Sequence, residues 1–190
     1  MPQAHFSGNE NVVGALVLAL GDRMREATED AAGLGGALPA ALISLHEFAG
    51  GRPIDALAAT LRVTHSRAVR IVDQLAGRGL AHRRADTADR RAVLVELTPA
   101  GRRAAARVMT ARAEVIRASL GGLTVSERRA FGELVGAVLA EITTSRRQAW
   151  SICRMCDVHA CGHHEGRCPV TRENDAREAA NMTATPRAAR

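Results

Sequence analysis

The sequence is poor in aromatic residues and contains neither lysine nor tyrosine. Aromatic side chains make up 2% of its 190 residues, whereas apolar residues make up 46%. A core can therefore be built, but mainly from alanine, valine and leucine, a composition that favours helices. A chain of this length suits one domain, or one domain with an appendage.

Long apolar runs are missing as well. The longest, VVGALVLAL from Val12, is too short to cross a bilayer. The start of the chain shows no basic region followed by an apolar segment and a cleavage site, as a secretory signal would. We therefore expect a cytoplasmic protein with no membrane partner.

Catalytic residue patterns are also lacking. The sequence contains no glycine-rich phosphate loop. Ser44 and His46 lie close together on a predicted core helix, but they do not form a catalytic triad. We predict that the protein is not an enzyme and has no catalytic residues.

The basic residues are all arginine, 26 in number, and the net charge is +6. Eleven arginines but only four acidic residues fall between Arg62 and Arg107. Arginine binds phosphate groups and guanine edges through paired hydrogen bonds. Such a concentration indicates a surface that binds nucleic acid rather than a solvated surface of mixed charge.

Apolar periodicity and turn signals predict the order of elements. A helix with an apolar stripe from Val12 to Met24 precedes a second helix at about 38–49. Two short helices follow, PIDALAATLRV and THSRAVRIVDQLAGRGL, with Thr64 as N-cap of the second. The runs AHRRAD and RAVLVELT then form a hairpin with the charged tip TADR. Two long helices end the pattern, from Thr98 to about Leu120 and from about 124 to about Trp150.

This order predicts a mainly α (α+β) fold, a winged helix-turn-helix with flanking long helices. The second short helix can enter a major groove of DNA, because its start and outer face are polar and basic. The residues that would reach the DNA from it are Thr64, His65, Ser66, Arg67 and Arg70. The hairpin tip, with Arg90 and Arg91, can reach the neighbouring minor groove or its phosphates.

The segment 57–101 resembles the multiple-antibiotic-resistance regulator (MarR) family. That family carries L-V-D-x-L-x-x-x-G-L and then D-x-x-D-R-R-x-x-x-x-x-L-T-x-x-G. The matching positions here are Ile71–Leu75, Gly79-Leu80, Asp86, Asp89-Arg90-Arg91 and Leu97–Gly101. The resemblance is close over about residues 38–110, and the flanking helices match in position and periodicity.

The resemblance implies a homodimeric transcription regulator, most often a repressor in this family, that reads a pseudopalindromic operator in double-stranded DNA. Its first and last helices would form the dimer interface, here Val12 to Met24 and Phe131 to Ile142. The implied organisation has five parts. These are an N-terminal tail and dimerisation helix (1–37), a winged helix-turn-helix (38–98), long C-terminal dimerisation helices (99–150), a cysteine-rich segment (151–170) and a disordered tail (171–190).

Residue roles follow from the same matching. Ser66, Arg67 and Arg70 would meet DNA from the recognition helix, and Arg83 and Arg84 would contact phosphates. Asp89 would orient the wing arginine, for which Arg91 is favoured over Arg90. Family members also bind small aromatic or phenolic effectors, for which the candidate pocket residues are His5, Phe6, His46 and Phe48.

All four cysteines lie in the short segment CRMCDVHACGHHEGRCP. Their spacing is C-x2-C-x4-C-x6-C, and such clusters in a cytosolic protein favour metal binding or redox chemistry. We predict a metal site formed by Cys153, Cys156, Cys161 and Cys168, with zinc as the favoured ion and either a structural or a sensory role. Gly162 and Gly166 would supply its bends. Three histidines could replace one cysteine, His159, His163 and His164.

Other chemistry remains open at this segment. An iron–sulfur cluster also takes four thiolates, and Cys168-Pro169 resembles the end of ferredoxin-type motifs. Thiol redox switching and an unliganded tail are further possibilities. Nearby arginines would lower the thiol pKa values, which favours metal binding and oxidation to disulfides equally; these are Arg146, Arg147, Arg154 and Arg167. The alternative functions are thus a redox or electron-transfer protein, a redox-sensing regulator, and an architectural DNA binder.

Overall fold

The computed structural model describes residues 7–86 and 93–184. Within those ranges it contains the following elements: α1 (Gly8–Ala32), α2 (Leu38–Glu47), β1 (Arg52–Pro53), α3 (Ile54–Leu61), α4 (His65–Gly77), β2 (Ala81–Ala85), β3 (Val93–Leu97), α5 (Pro99–Ser119), α6 (Val125–Ile142), α7 (Arg146–Cys153) and α8 (Pro169–Ala184). None of these helices is both long and apolar enough to cross a membrane.

The helix pair α3–α4 and the hairpin β2–β3 form the predicted winged helix-turn-helix, and the predicted fold class is confirmed. The stripe expected on α4 is buried, with Ala68, Ile71, Val72 and Leu75 all facing the core. Because these positions recur every three or four residues, one side of α4 packs against the domain and the other faces solvent. The rest of the core comes from α2, α3, the sheet and α5.

The sheet has three strands in the order β1-β3-β2 and is antiparallel throughout. In the hairpin, Ala81 lies opposite Leu97 and Ala85 opposite Val93. Strand β1, which the sequence did not predict, adds Arg52 opposite Val95 at the other edge. Two residues are too few to show a strand period, so only the pairing with β3 defines β1.

Helix α5 is tied to the wing at its first turn. The Thr98 hydroxyl accepts a hydrogen bond from the Gly101 N–H (3.0 Å), as predicted for an N-cap, and donates one to the Gly79 carbonyl (2.7 Å). The backbone N–H of Thr98 donates to the Leu80 carbonyl (3.0 Å). A Cβ atom at Gly101 would lie 1.9 Å from that same carbonyl oxygen, so this position admits only glycine.

The last long helix was predicted to reach about Trp150, and this is wrong. Helix α6 ends at Ile142, and the separate helix α7 begins at Arg146. The break falls on three hydroxyl residues, which compete with helical hydrogen bonding. The Thr143 hydroxyl donates to the Leu139 carbonyl (2.7 Å), and the Ser145 hydroxyl caps α7 by accepting from the Gln148 N–H.

The disordered tail predicted from residue 171 is also wrong as far as residue 184, because those residues belong to α8. Helix α8 packs against α6 and α7. Val170 is 3% exposed, and the Pro169 side chain lies 3.6 Å from where a Cβ of Gly136 would stand. Tertiary packing thus stabilises a helix whose own sequence has little apolar periodicity.

Candidate DNA-binding surface and cysteine cluster

The start of α4 presents the predicted base-reading residues on one exposed face. The Thr64 hydroxyl accepts from the Arg67 N–H (3.3 Å), which fixes where the helix begins. His65, Ser66, Arg67 and Arg70 are all exposed, because the opposite side of α4 is buried in the core. The predicted base-reading residues therefore share the solvent-facing side of α4.

Two arginines on this face have no neutralising partner among the residues that the structure describes. Arg67 and Arg70 form no hydrogen bond or ion pair through their side chains with any residue in 7–86 or 93–184. His65 differs, since its Nδ1 lies 2.6 Å from Asp55 Oδ1 on α3. That contact holds the imidazole ring in one orientation and leaves Nε2 pointing away from the carboxylate. Sequence reasoning missed Asp55, which no local pattern connects to His65.

The wing arginines on β2 have carboxylate partners within the chain. Arg83 Nη1 lies 2.6 Å from Asp73 Oδ1 and so joins β2 to α4. Arg84 donates from Nε (3.0 Å) and Nη2 (2.9 Å) to Glu96 Oε1 on β3. Both therefore brace the wing, and their predicted phosphate contacts stay predictions. The three wing-tip residues of the prediction lie outside the described residues: Asp89, Arg90 and Arg91.

Two helices expose apolar faces in the single chain. Helix α6 has no buried residue, and Leu134 and Val138 are 69% and 61% exposed. On α1, the large apolar residues of the N-terminal half are exposed as well: Val12, Val13, Leu16, Val17 and Leu18. Exposed apolar area of this extent indicates surfaces that bind another protein chain.

Two of the proposed effector residues, His46 and Phe48, lie in the described part of the chain, and they make different contacts. His46 is exposed and pairs with Glu47 (2.8 Å), whereas Phe48 meets the edge of the His163 ring (centroids 6.2 Å apart). A cavity of about 460 Å³ lies beside Phe48, between α2–α3 and the C-terminal helices α7–α8. His5 and Phe6 lie outside the described residues.

The four cysteines extend from the last residue of α7 to the residue before α8. Cys153 ends α7, Cys168 precedes α8, and the chain between them turns at Gly162 and Gly166. Both glycines have left-handed φ angles, 67° and 64°, as bends of this kind require. Cys153, Cys161 and Cys168 pack in one small apolar cluster, which is completed by residues of α6, α7 and α8: Leu139, Ala149, Ile152 and Val170.

The pKa values of Cys153 and Cys156 depend more on the neighbouring thiol than on the neighbouring arginines. A hydrogen bond between Cys153 and Cys156 lowers the pKa of Cys156 to about 7, with help from the charges of Arg112 and Arg154. The same bond, with burial, raises the pKa of Cys153. Burial raises the pKa of Cys161 to about 11. The expectation that arginines lower all the thiol pKa values is thus wrong for Cys153 and Cys161.

The cysteine cluster has the donor atoms of a metal site, but its side chains are not arranged around one point. Within residues 7–86 and 93–184, no three His, Cys, Asp or Glu side chains are placed so that they could hold a metal ion together. The Cys153 thiol nevertheless interacts with the other three thiols, so all four share one neighbourhood. Four soft sulfur donors suit zinc or an iron–sulfur cluster. The donor set therefore fits, and ligation requires the side chains to converge.

The fold and its exposed face define a class of protein. A winged helix-turn-helix with an arginine-bearing recognition helix is a module that binds double-stranded DNA. The profile of the MarR family matches residues 40–93. A comparison with the sequences of curated proteins gives no match.

Solved structures extend the likeness beyond that segment. A MarR-family transcriptional regulator from Silicibacter pomeroyi is 31% identical, with a TM-score of 0.56, over 71% of this chain and 92% of its own. CouR from Rhodococcus jostii RHA1, solved with p-coumaroyl-CoA, is 26% identical (TM-score 0.53; 66% and 90% covered). BpsR from Bordetella bronchiseptica, whose DNA binding is regulated by 6-hydroxynicotinic acid, is 25% identical (TM-score 0.52; 66% and 97% covered).

The chain belongs to the MarR family of transcription regulators. Members of this family bind DNA as dimers and respond to small molecules. These relatives are matched over nine-tenths or more of their length, while about a third of this chain stays unmatched.

Proposed function

We propose that this protein is a dimeric repressor that binds a pseudopalindromic operator through α4 and the wing. The single observation that carries this proposal is the exposed face of α4, where the side chains of Arg67 and Arg70 have no partner among the described residues. Guanidinium groups without a partner among the described residues are available to bind phosphates and guanine edges. The activity is binding rather than catalysis, and it takes place in the cytoplasm.

The exposed apolar faces of α1 and α6 support the dimer. Each face would be buried against the second copy of the chain. Removing this apolar surface from water stabilises the dimer through the hydrophobic effect. Twofold symmetry would present two α4 helices to half-sites about one helical turn apart.

Replacement of one recognition arginine tests the DNA-binding proposal. Arg70→Ala should weaken binding to the operator by about 1–3 kcal/mol, because it removes one base-reading or phosphate contact. Operator fragments selected from random DNA and fluorescence anisotropy provide the measurement. Arg177→Ala is the matched control, since Arg177 lies on α8 and already pairs with Glu173 (2.6 Å). Equal affinity of both variants would remove Arg70 from the interface.

We further propose that Cys153, Cys156, Cys161 and Cys168 bind zinc. The proposal is supported by their spacing, by the left-handed glycine turns and by the shared thiol neighbourhood. Elemental analysis of anaerobically purified dimer should find about one zinc ion per chain, as a four-thiolate structural site requires. The substitution Cys168→Ser should lower this zinc content. A visible absorption band with bound iron would instead favour an iron–sulfur, redox-sensing regulator.

A further inference from the structure

We infer that the loop Cys153–Cys168, the cysteine loop, fixes the orientation of the helix-turn-helix relative to α6. Zinc binding to this loop would then raise operator affinity. Glu47 acts as a positioning residue for the loop. The inference rests on the proposed zinc site. The Cys153–Cys156 end of this loop contacts the helix-turn-helix, and the Cys161–Cys168 end packs beside α6 and α8.

The first end is the Cys153–Cys156 turn, which docks on the helix-turn-helix lobe. The carbonyl of Arg154 accepts a hydrogen bond from the hydroxyl of Ser44 on α2 (3.0 Å), and Ser44 is fully buried. The next residue, Met155, packs against the main hydrophobic core. Both residues between the two thiols are therefore engaged with the lobe that carries α4. Ligation of Cys153 and Cys156 would restrict the backbone that makes these contacts.

Glu47 adds a second attachment to the same lobe. Its side chain, at the end of α2, is 4% exposed, and its Oε2 accepts a hydrogen bond from the Val158 N–H (3.1 Å). Val158 is itself 4% exposed and lies between Cys156 and Cys161. A buried carboxylate is costly without its partners, so Glu47 holds the loop where Val158 can donate to it.

The second end of the loop docks on α6. Cys161 and Cys168 share the small apolar cluster with Leu139 of α6, and Cys168 is 4% exposed. Cys153 reaches the same cluster from the first end, whereas Cys156 lies outside it. From Cys168 the chain enters α8, the element with which α6 makes its main contacts inside this chain. The two thiols of this end are thus packed in a cluster that contains one residue of α6, and α8 continues the contact with that helix.

A metal ion held by all four thiols would tie these two ends together. The lobe that reads DNA and the helix proposed to form the dimer would then keep one relative orientation. A dimer whose two reading helices are preorganised loses less conformational freedom when it binds an operator. Couplings of this kind commonly change affinity about 5-fold to 150-fold, and we expect about tenfold here.

The test compares operator affinity of the full-length dimer with zinc, after chelation, and after zinc is restored. In the wild type, zinc should tighten binding about tenfold. Glu47→Ala should keep its zinc but lose most of that response, and Glu47→Gln should recover it because an amide oxygen can still accept from Val158. Glu165→Ala is the matched control, since Glu165 lies in the same loop but makes only a surface contact with Arg167 (3.6 Å).

The outcomes separate the two proposals. Absence of zinc from the purified and zinc-supplemented protein would defeat the metal site itself. Zinc that binds but leaves operator affinity unchanged, or lowers it, would defeat only the coupling between zinc binding and operator affinity. A full zinc response in Glu47→Ala would remove Glu47 from the coupling. Should Glu47→Ala fail to fold, Ser44→Ala deletes only the hydroxyl that contacts Arg154 and must reduce the response for the inference to stand.

Discussion

Gly101 is the position at which a single methyl group should do the most damage. It lies in the first turn of α5, where the helix passes against the end of the segment that leads into the wing. An alanine Cβ would lie 1.9 Å from the Leu80 carbonyl oxygen and 3.2 Å from Leu97 Cδ2. The first distance is far inside van der Waals contact with backbone, which cannot rotate away as a side chain could.

The loss of stability in Gly101→Ala can be worked out from the contacts that break when the two backbone segments separate. Separating the two backbones would break the bonds from Thr98 N to the Leu80 carbonyl (3.0 Å) and from Thr98 Oγ1 to the Gly79 carbonyl (2.7 Å). Each such bond contributes about 1 kcal/mol, and overpacking costs about 1–3 kcal/mol. Alanine regains about 1 kcal/mol of helix propensity. The free energy of unfolding should therefore fall by about 2–4 kcal/mol.

Urea unfolding followed by circular dichroism measures this change. The wild type and the variants must be compared at one protein concentration, because the stability of a dimer depends on protein concentration. Gly77→Ala is the control, since Gly77 ends α4 and a Cβ atom there would have nothing within 4 Å. It should unfold at the same urea concentration as the wild type or slightly above. If Gly101→Ala behaves like Gly77→Ala, the close approach to Leu80 is not present in solution.

Two further predictions concern the wing and the dimer. Arg91→Ala should weaken operator binding and reduce the slope of log affinity against log salt by about one, because one phosphate contact is lost; an unaltered slope in a salt titration would exclude Arg91 from the DNA. Leu134→Glu should yield monomers in sedimentation velocity. Met182→Glu is the matched control and should remain dimeric, since Met182 is also exposed in the single chain (80%, against 69% for Leu134) but does not lie on α6. Dimers in both variants would place the interface elsewhere than α6.

Local signals explain why the helix-turn-helix was predictable. The buried stripe of α4, its cap at Thr64 and the cap at Thr98 all follow from residues within one or two turns of each other. The resemblance to the MarR family rested on the same short segment. The structure confirms the winged fold there, and it explains the glycine of the L-T-x-x-G motif by the closeness of Leu80 to Gly101.

The errors arose where local preference and packing disagree. The apolar pattern of α6 suggested one helix up to Trp150, but the hydroxyl groups at Thr143 and Ser145 end α6 and begin α7. Helix α8 has a polar sequence that looked disordered, yet Val170 and Cys168 bury its start against α6 and α7. Strand β1 is defined only by its partner β3.

The sequence alone determined the class of protein, because periodicity, capping residues and arginine placement depend on spacing along the chain. It also determined the composition of the cysteine segment, four thiols within sixteen residues. Only the tertiary structure decided what that segment touches. The contacts from Ser44 to Arg154 and from Glu47 to Val158 join residues 110 and 111 positions apart. Such pairs leave no periodic signal, because they depend on how the packed core brings distant backbone together.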